Sequence, residues 1–136
     1  MDLSSSMLIA ASGMRAQSAR MRTISENIAN ANSTAPDANS DPYRRKIATI
    51  TSSFDKALGA ETVAAGKPVQ DSSEFRTQYD PGNPAADKKG YVKLPNVNPL
   101  VEVMDMKEAQ RSYEADLNVV DATKSMLSRT VDLLKK

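Results

Sequence analysis

The stretch NPLVEVMDMKEAQRSYEADLNVVDATKSMLSRTVDLLKK, residues 98–136, decides the fold. Asn98-Pro99 is a helix start: a capping side chain, then a residue whose missing N–H costs nothing at the first helical position. From Leu100 onward no Gly or Pro interrupts the run. Met106, Tyr113, Val120, Leu127 and Leu134 recur at every seventh residue. Val103, Gln110, Leu117, Lys124 and Val131 form a second series, so the steps alternate between three and four, as in a heptad seam. Residues 99–135 are therefore predicted to form one helix, about 54 Å long. Glu102, Asp105 and Glu108 early and Lys135 and Lys136 last suit the helix dipole. Val119, Met126 and Leu133 make a further stripe, widened by Ala109, Ala115 and Ala122. A surface that broad calls for more than one neighbour.

The same pattern occurs at the other end of the chain. Met7, Met14, Met21 and Ile28 lie seven apart, interleaved with Leu3, Ala10, Gln17 and Ile24. This predicts a helix over residues 3–31, about 44 Å long. Ser4, Ser5 and Ser6 are available as N-caps, and Asn30, Asn32, Ser33, Thr34 and Pro36 end it. The Met residues either fill gaps in a core or adapt to non-equivalent partners. Gln17, Gln110 and Lys124 either set the register or lie at a solvent edge.

Between the helices the composition changes. Six of the seven Pro and four of the five Gly fall in residues 33–98. Arg45 to Phe54 is rich in β-branched residues and is predicted as a strand. Lys67 to Gln70, Phe75 to Tyr79 and Gly90 to Leu94 are shorter candidates, with turns at Asp80-Pro81-Gly82-Asn83-Pro84 and Lys88-Lys89-Gly90. The expected fold is mainly α with a small β region. Long N- and C-terminal heptad helices pack as an antiparallel coiled-coil-like pair around a β-rich, irregular middle. The expected organisation is residues 1–32, an N-terminal axial helix; 33–98, the middle region; and 99–136, the C-terminal axial helix.

Composition narrows the function. The chain has 136 residues with no Cys, His or Trp, so the common ligand sets for transition metals and the commonest general base are missing. No phosphate loop, dinucleotide fingerprint or nucleophile elbow occurs. Carboxylate pairs such as Glu102/Asp105 and Asp116/Asp121 fall where a heptad helix carries charge for solubility. Neither catalytic, cofactor-binding nor metal-binding residues are expected, and the protein is not expected to be an enzyme. A net charge of +1 argues against a nucleic-acid partner. Met1 to Ser6 lacks the basic region of a cleaved signal peptide, and no stretch is suited to direct membrane insertion. A helix pair covers only one side of each helix, so the leftover apolar surface favours self-association. A soluble coiled-coil adaptor or export chaperone is the alternative reading. It would form a small closed oligomer.

Several motifs converge on one family. Ser12-Gly13-Met14-Arg15-Ala16-Gln17, and Ile24-Ser25-Glu26 leading into Asn27-Ile28-Ala29-Asn30, resemble the N-terminal signature of flagellar basal-body rod and hook proteins. Pro42-Tyr43-Arg44 is similar to the segment that follows the first helix in that family. Asn96, Asn98 and Pro99, followed by Glu108-Ala109-Gln110-Arg111-Ser112-Tyr113, resemble its proximal-rod members. The resemblance implies a structural subunit of a helical tube that transmits torque, surrounds the export channel and spans the periplasm. It also implies copies of the chain and other rod proteins as partners, and export by the flagellar type III apparatus without a cleaved signal peptide. The residues expected to carry assembly are Leu3, Met7, Met14, Met21, Ile24, Ile28, Val103, Met106, Tyr113, Leu117, Val120, Leu127, Val131 and Leu134. The basic run Arg44-Arg45-Lys46 either meets an acidic neighbour or is a solvated strand end.

Overall fold

A computed structural model describes residues 2–135; Met1 and Lys136, one of the two terminal cations expected on the second helix, lie outside the described residues. The order of elements is α1 (Leu3–Ala29), β1 (Lys46–Ile47), β2 (Ile50–Asp55), β3 (Ala60–Ala65), β4 (Val69–Gln70), β5 (Arg76–Tyr79), β6 (Tyr91–Leu94) and α2 (Pro99–Leu134). The chain is mainly helical with a small β region, and its two helices pack against each other in opposite directions. Among the described residues no helix is long and apolar enough to cross a membrane.

The helix ends are set by side chains. Asp2, rather than Ser4–Ser6, caps α1: its Oδ1 accepts from the Ser4 N–H at 2.5 Å and from the Ser4 hydroxyl at 2.8 Å. These bonds, the side-chain one first, hold the Asp2 carboxyl below the usual carboxylate range. α1 stops two residues short of the predicted end, where the Asn30 amide turns back onto the Glu26 carbonyl at 2.9 Å. At α2 the Asn98 side chain accepts from the Leu100 N–H at 3.1 Å, with Pro99 as the first helical residue.

The chain forms two compact units, and both helices contribute to each. The first comprises residues up to Met21, Thr49–Lys67 and the chain from Lys107 onward. Here the Asp116 carboxylate packs directly on Gly13, and Arg20 pairs with Glu108 at 3.5 Å. The buried residues are small: Ala10, Ser12, Ala16, Ala109 and Thr123. β2 and β3 form an antiparallel hairpin with Ile50 opposite Ala65 and Asp55 opposite Ala60. Gly59, at φ 65°, supplies the left-handed residue its turn requires. The hairpin is tied to α1 by the Val63 N–H, which donates to the Ser12 hydroxyl at 3.3 Å.

The second unit comprises Arg22–Ala48 and Pro68–Met106. β1 pairs with β4 and β5 with β6, both antiparallel, with Arg76 opposite Leu94 and Tyr79 opposite Tyr91. Gly90 sits at φ 85°, where an added Cβ would lie 2.8 Å from the Tyr79 ring. Ala35, Ala85 and Val92 form the apolar core, and Val97 and Pro95 are fully buried.

Two expectations are corrected. The strand predicted over Arg45–Phe54 is broken at Ala48–Thr49 into β1 and β2, which join different sheets. The buried series of α2 is Glu102, Ala109 and Thr123, one residue ahead of the predicted Val103–Gln110–Leu117–Lys124–Val131 series. Val103, Leu117 and Val131 are 42%, 39% and 47% exposed. The physical reason is on α1, where Gly13 lies directly against Asp116 of α2. Small side chains let the backbones approach closely, so small residues on α2 win over larger apolar ones.

Candidate functional site

The motif residues meet in the second unit around Glu102, a carboxylate with no solvent exposure. Asn27, 1% exposed, is the hub. Its Nδ2 donates to Glu102 Oε2 at 3.0 Å and to the Lys46 carbonyl at 2.8 Å. Its Oδ1 accepts from the Lys46 N–H at 2.9 Å and the Tyr43 hydroxyl at 2.8 Å. An amide has two donor and about two acceptor positions, so Asn27 is fully used. In this way one residue on the last turn of α1 holds both the β1 backbone and the first turn of α2.

Arg45 supplies the counter-charge. Its Nε donates to Glu102 Oε1 at 2.5 Å, and its two terminal nitrogens reach Asp71 at 3.3 Å and Asp105 at 3.6 Å. Its backbone N–H donates to Asn96 Oδ1 at 2.8 Å, and the Asn96 amide donates on to Ser73 and to the Asp71 carbonyl. Bonds from the Ser73 N–H and hydroxyl, then Arg45, hold Asp71 below the usual carboxylate range. Burial, with Glu26 and Glu102 beside it, pushes the Tyr43 phenol up to about 12.

The basic run is therefore neither a solvated strand end nor a patch awaiting an acidic neighbour. Arg45 neutralises Glu102, and Lys46 pairs with Glu26. Arg44 donates to the Asp71 and Ser73 carbonyls at 2.9 and 3.0 Å and stacks over Phe75, 4.2 Å from the ring centre. Pro42 is buried beside them, and Asn30, Asn98 and Pro99 serve the helix ends. Ile28 is half-buried and Ala29 exposed. The motif residues thus form a closed polar clamp with its hydrogen bonds turned inward.

The residues expected to carry assembly fall into two groups. Ile24 is buried, and Leu3, Met7, Met14, Met21, Ile28, Met106, Tyr113 and Val120 are half-buried. Val103, Leu117, Leu127, Val131 and Leu134 are exposed on α2, together with Val119, Met126 and Leu133. Large apolar side chains are thus left in water along much of α2.

Sequence reasoning missed Glu102, Arg45, Asp71 and Ser73 as members of the clamp. Glu102 reads as a dipole-complementing acid because it lies in the first turn of a helix. Its signal was phase: it stands seven residues before Ala109, on the stripe of small residues rather than the outer face.

Comparison with known proteins matches the two ends of this architecture. Residues 7–35 match the family described as "Flagella basal body rod protein", and residues 88–133 match "Flagellar basal body rod FlgEFG protein C-terminal". The chain is 51% identical over 133 residues to the flagellar basal-body rod protein FlgC of Agrobacterium fabrum, covering 98% of this chain and 96% of that one. It is 37% identical over 145 residues to FlgC of Bacillus subtilis, covering 96% and 97%. It is 37% identical over 135 residues to FlgC of Aquifex aeolicus, covering 99% of each. With both ends of the fold and nearly the whole length accounted for, the chain belongs to the family of flagellar basal-body rod proteins FlgC.

Proposed function

We propose that the chain is a structural subunit of the rod of the bacterial flagellar basal body, packing with copies of itself and with other rod proteins. The observation that carries this reading is the division of labour on α2. Its small and polar residues, Glu102, Ala109 and Thr123, face inward, while Val103, Leu117, Leu127 and Val131 are left in water. Burying a large aliphatic side chain contributes about 1.5–3 kcal/mol, so a row of them drives assembly. Full-length likeness to chains named as rod proteins supports the same reading.

In its finer form the reading is a proximal-rod subunit in a helical tube that spans the periplasm, surrounds the export channel and transmits torque. Stiffness under torque suits long helices, and the closed clamp at Glu102 ties both helices to the β segments. The role is structural rather than catalytic: Asn27 and Glu102 spend their polar atoms on each other and on neighbouring residues. Export through the flagellar type III apparatus, without signal cleavage, suits a chain with no Cys to cross-link and six aromatic residues. Such a chain leaves part of its stability to be gained on assembly.

Complementation tests this reading. Cells lacking the chain should regain rods and motility with the wild type and with Lys88→Ala. Leu127→Asp should accumulate the protein without building rods. Intact rods in cells that lack the chain would overturn the reading.

A further inference from the structure

α2 outruns its partner helix. Gly13 of α1 lies against Asp116, and the two helices run in opposite directions. Ten residues before Gly13 is Leu3, where α1 begins; ten residues after Asp116 is Met126, yet α2 continues to Leu134. Residues 127–134 therefore have no α1 residue beside them, an overhang of about 12 Å. Burial agrees: Thr123 is the last buried residue of α2, and every described residue after it is exposed. The overhang carries Leu133 and Leu134, 74% and 82% exposed.

The same unit holds a groove of about 460 Å³ between the start of α1 and the β2–β3 hairpin. Leu8, Leu58 and Val63 line it, with Arg15 and Asp55 also on its walls. Leu8 is 53% exposed there. The overhang has the complementary pair, Arg129 and Asp132. Among the described residues, none of Arg15, Asp55, Arg129 and Asp132 forms an ion pair.

We propose that residues 127–134 of one copy seat in the Leu8–Leu58–Val63 groove of the next copy, with Arg129 toward Asp55 and Asp132 toward Arg15. The contact joins two different surfaces, so it is heterologous. Repeated without closing, it propagates a helical assembly rather than a small closed oligomer. This inference rests on the rod-subunit reading and names the contact through which neighbouring copies would meet.

The natural absence of Cys makes a clean test. Two full-length single-cysteine variants, Leu8→Cys and Leu133→Cys, are expressed together in flagellated cells lacking the chain, and isolated basal bodies are oxidised. The expected result is a disulfide dimer containing one of each variant, and loss of that band when Lys88→Cys replaces Leu8→Cys. Arg15→Cys with Asp132→Cys should give the same dimer by an independent pair. Basal bodies that contain the chain but yield neither dimer would overturn the docking and leave the rod-subunit reading intact. So would Leu133→Cys linked only to itself or only to a different rod protein. Basal bodies without the chain, when the wild type is supplied, would overturn both.

Discussion

Asn27 and Glu102, 75 residues apart in the chain, meet side chain to side chain at 3.0 Å, with Asn27 1% exposed and Glu102 fully buried. The contact joins the end of one long helix to the start of the other. It is also where the most recognisable sequence motif does its structural work. Arg45 and Asn27 between them occupy both oxygens of Glu102. Removing one partner of such a pair leaves an uncompensated charge or an empty donor.

Glu102→Ala is accordingly expected to cost about 1–3 kcal/mol of stability, because it leaves one Asn27 Nδ2 hydrogen and the Arg45 Nε without an acceptor, while Asp71 and Asp105 still pair with Arg45. Urea unfolding of the full chain, followed by circular dichroism, measures it. Adding Asn27→Ala to the same background closes a double-mutant cycle. Coupling of about 0.5–3 kcal/mol is expected for residues in direct contact. Strict additivity would mean that the hydrogen bond contributes nothing of its own.

Tyr43 makes the clamp sensitive to alkali. Its phenol is raised from the ordinary 10.0 to about 12, so between these values the folded chain holds a proton that the unfolded chain has lost. The stability it contributes is whole below pH 10 and is lost as the pH rises through about 12. Urea midpoints across that window should fall less steeply for Tyr43→Phe than for the wild type. Parallel slopes would count against a buried, proton-holding phenol.

How much of this was legible in the sequence depends on what sets each element. The long helices were readable because a seven-residue repeat without Gly or Pro leaves few alternatives. The motif positions Asn27, Tyr43 and Asn96 were readable as a set, but not as a network. The partners of a buried acid come from distant segments, and only the folded chain shows that Arg45 points at Glu102. β3, Ala60–Ala65, was not legible, because an Ala-rich run without alternation becomes a strand only through its partner β2. One of the two series of the α2 seam, Val103 to Val131, was misplaced by one residue because hydrophobicity was taken as the signal for packing, while Met106, Tyr113 and Val120 of the other series are half-buried. Against Gly13, small size decided the register.

Asp116 shows the cost of that close approach. Burial raises its carboxyl above the ordinary value, and among the described residues no cation pairs with it. A raised folded-state value means that its contribution is favourable at acid pH and is lost as the pH rises through the carboxylate range. Asp116→Asn is therefore expected to raise the urea midpoint at neutral pH and to have little effect in acid. A lower midpoint at neutral pH would point to a favourable role for the charge.

Leu127→Asp separates folding from assembly. Leu127 lies past the last buried residue of α2, so the change should alter free-chain stability by no more than about 0.5 kcal/mol. Tyr113→Asp, at a half-buried position, should lower stability as well as block assembly. Thermal melts of the free chains, set beside rod formation in cells, check the contrast.

We propose that α2 carries a surface for neighbouring subunits. Sedimentation velocity across a concentration series, with circular dichroism on the same samples, tests for such a surface. Mass that rises with concentration without reaching a fixed stoichiometry, together with a rising helical signal, is the predicted result. A compact monomer or a single small oligomer, unchanged in mass and helicity at every concentration, would contradict it.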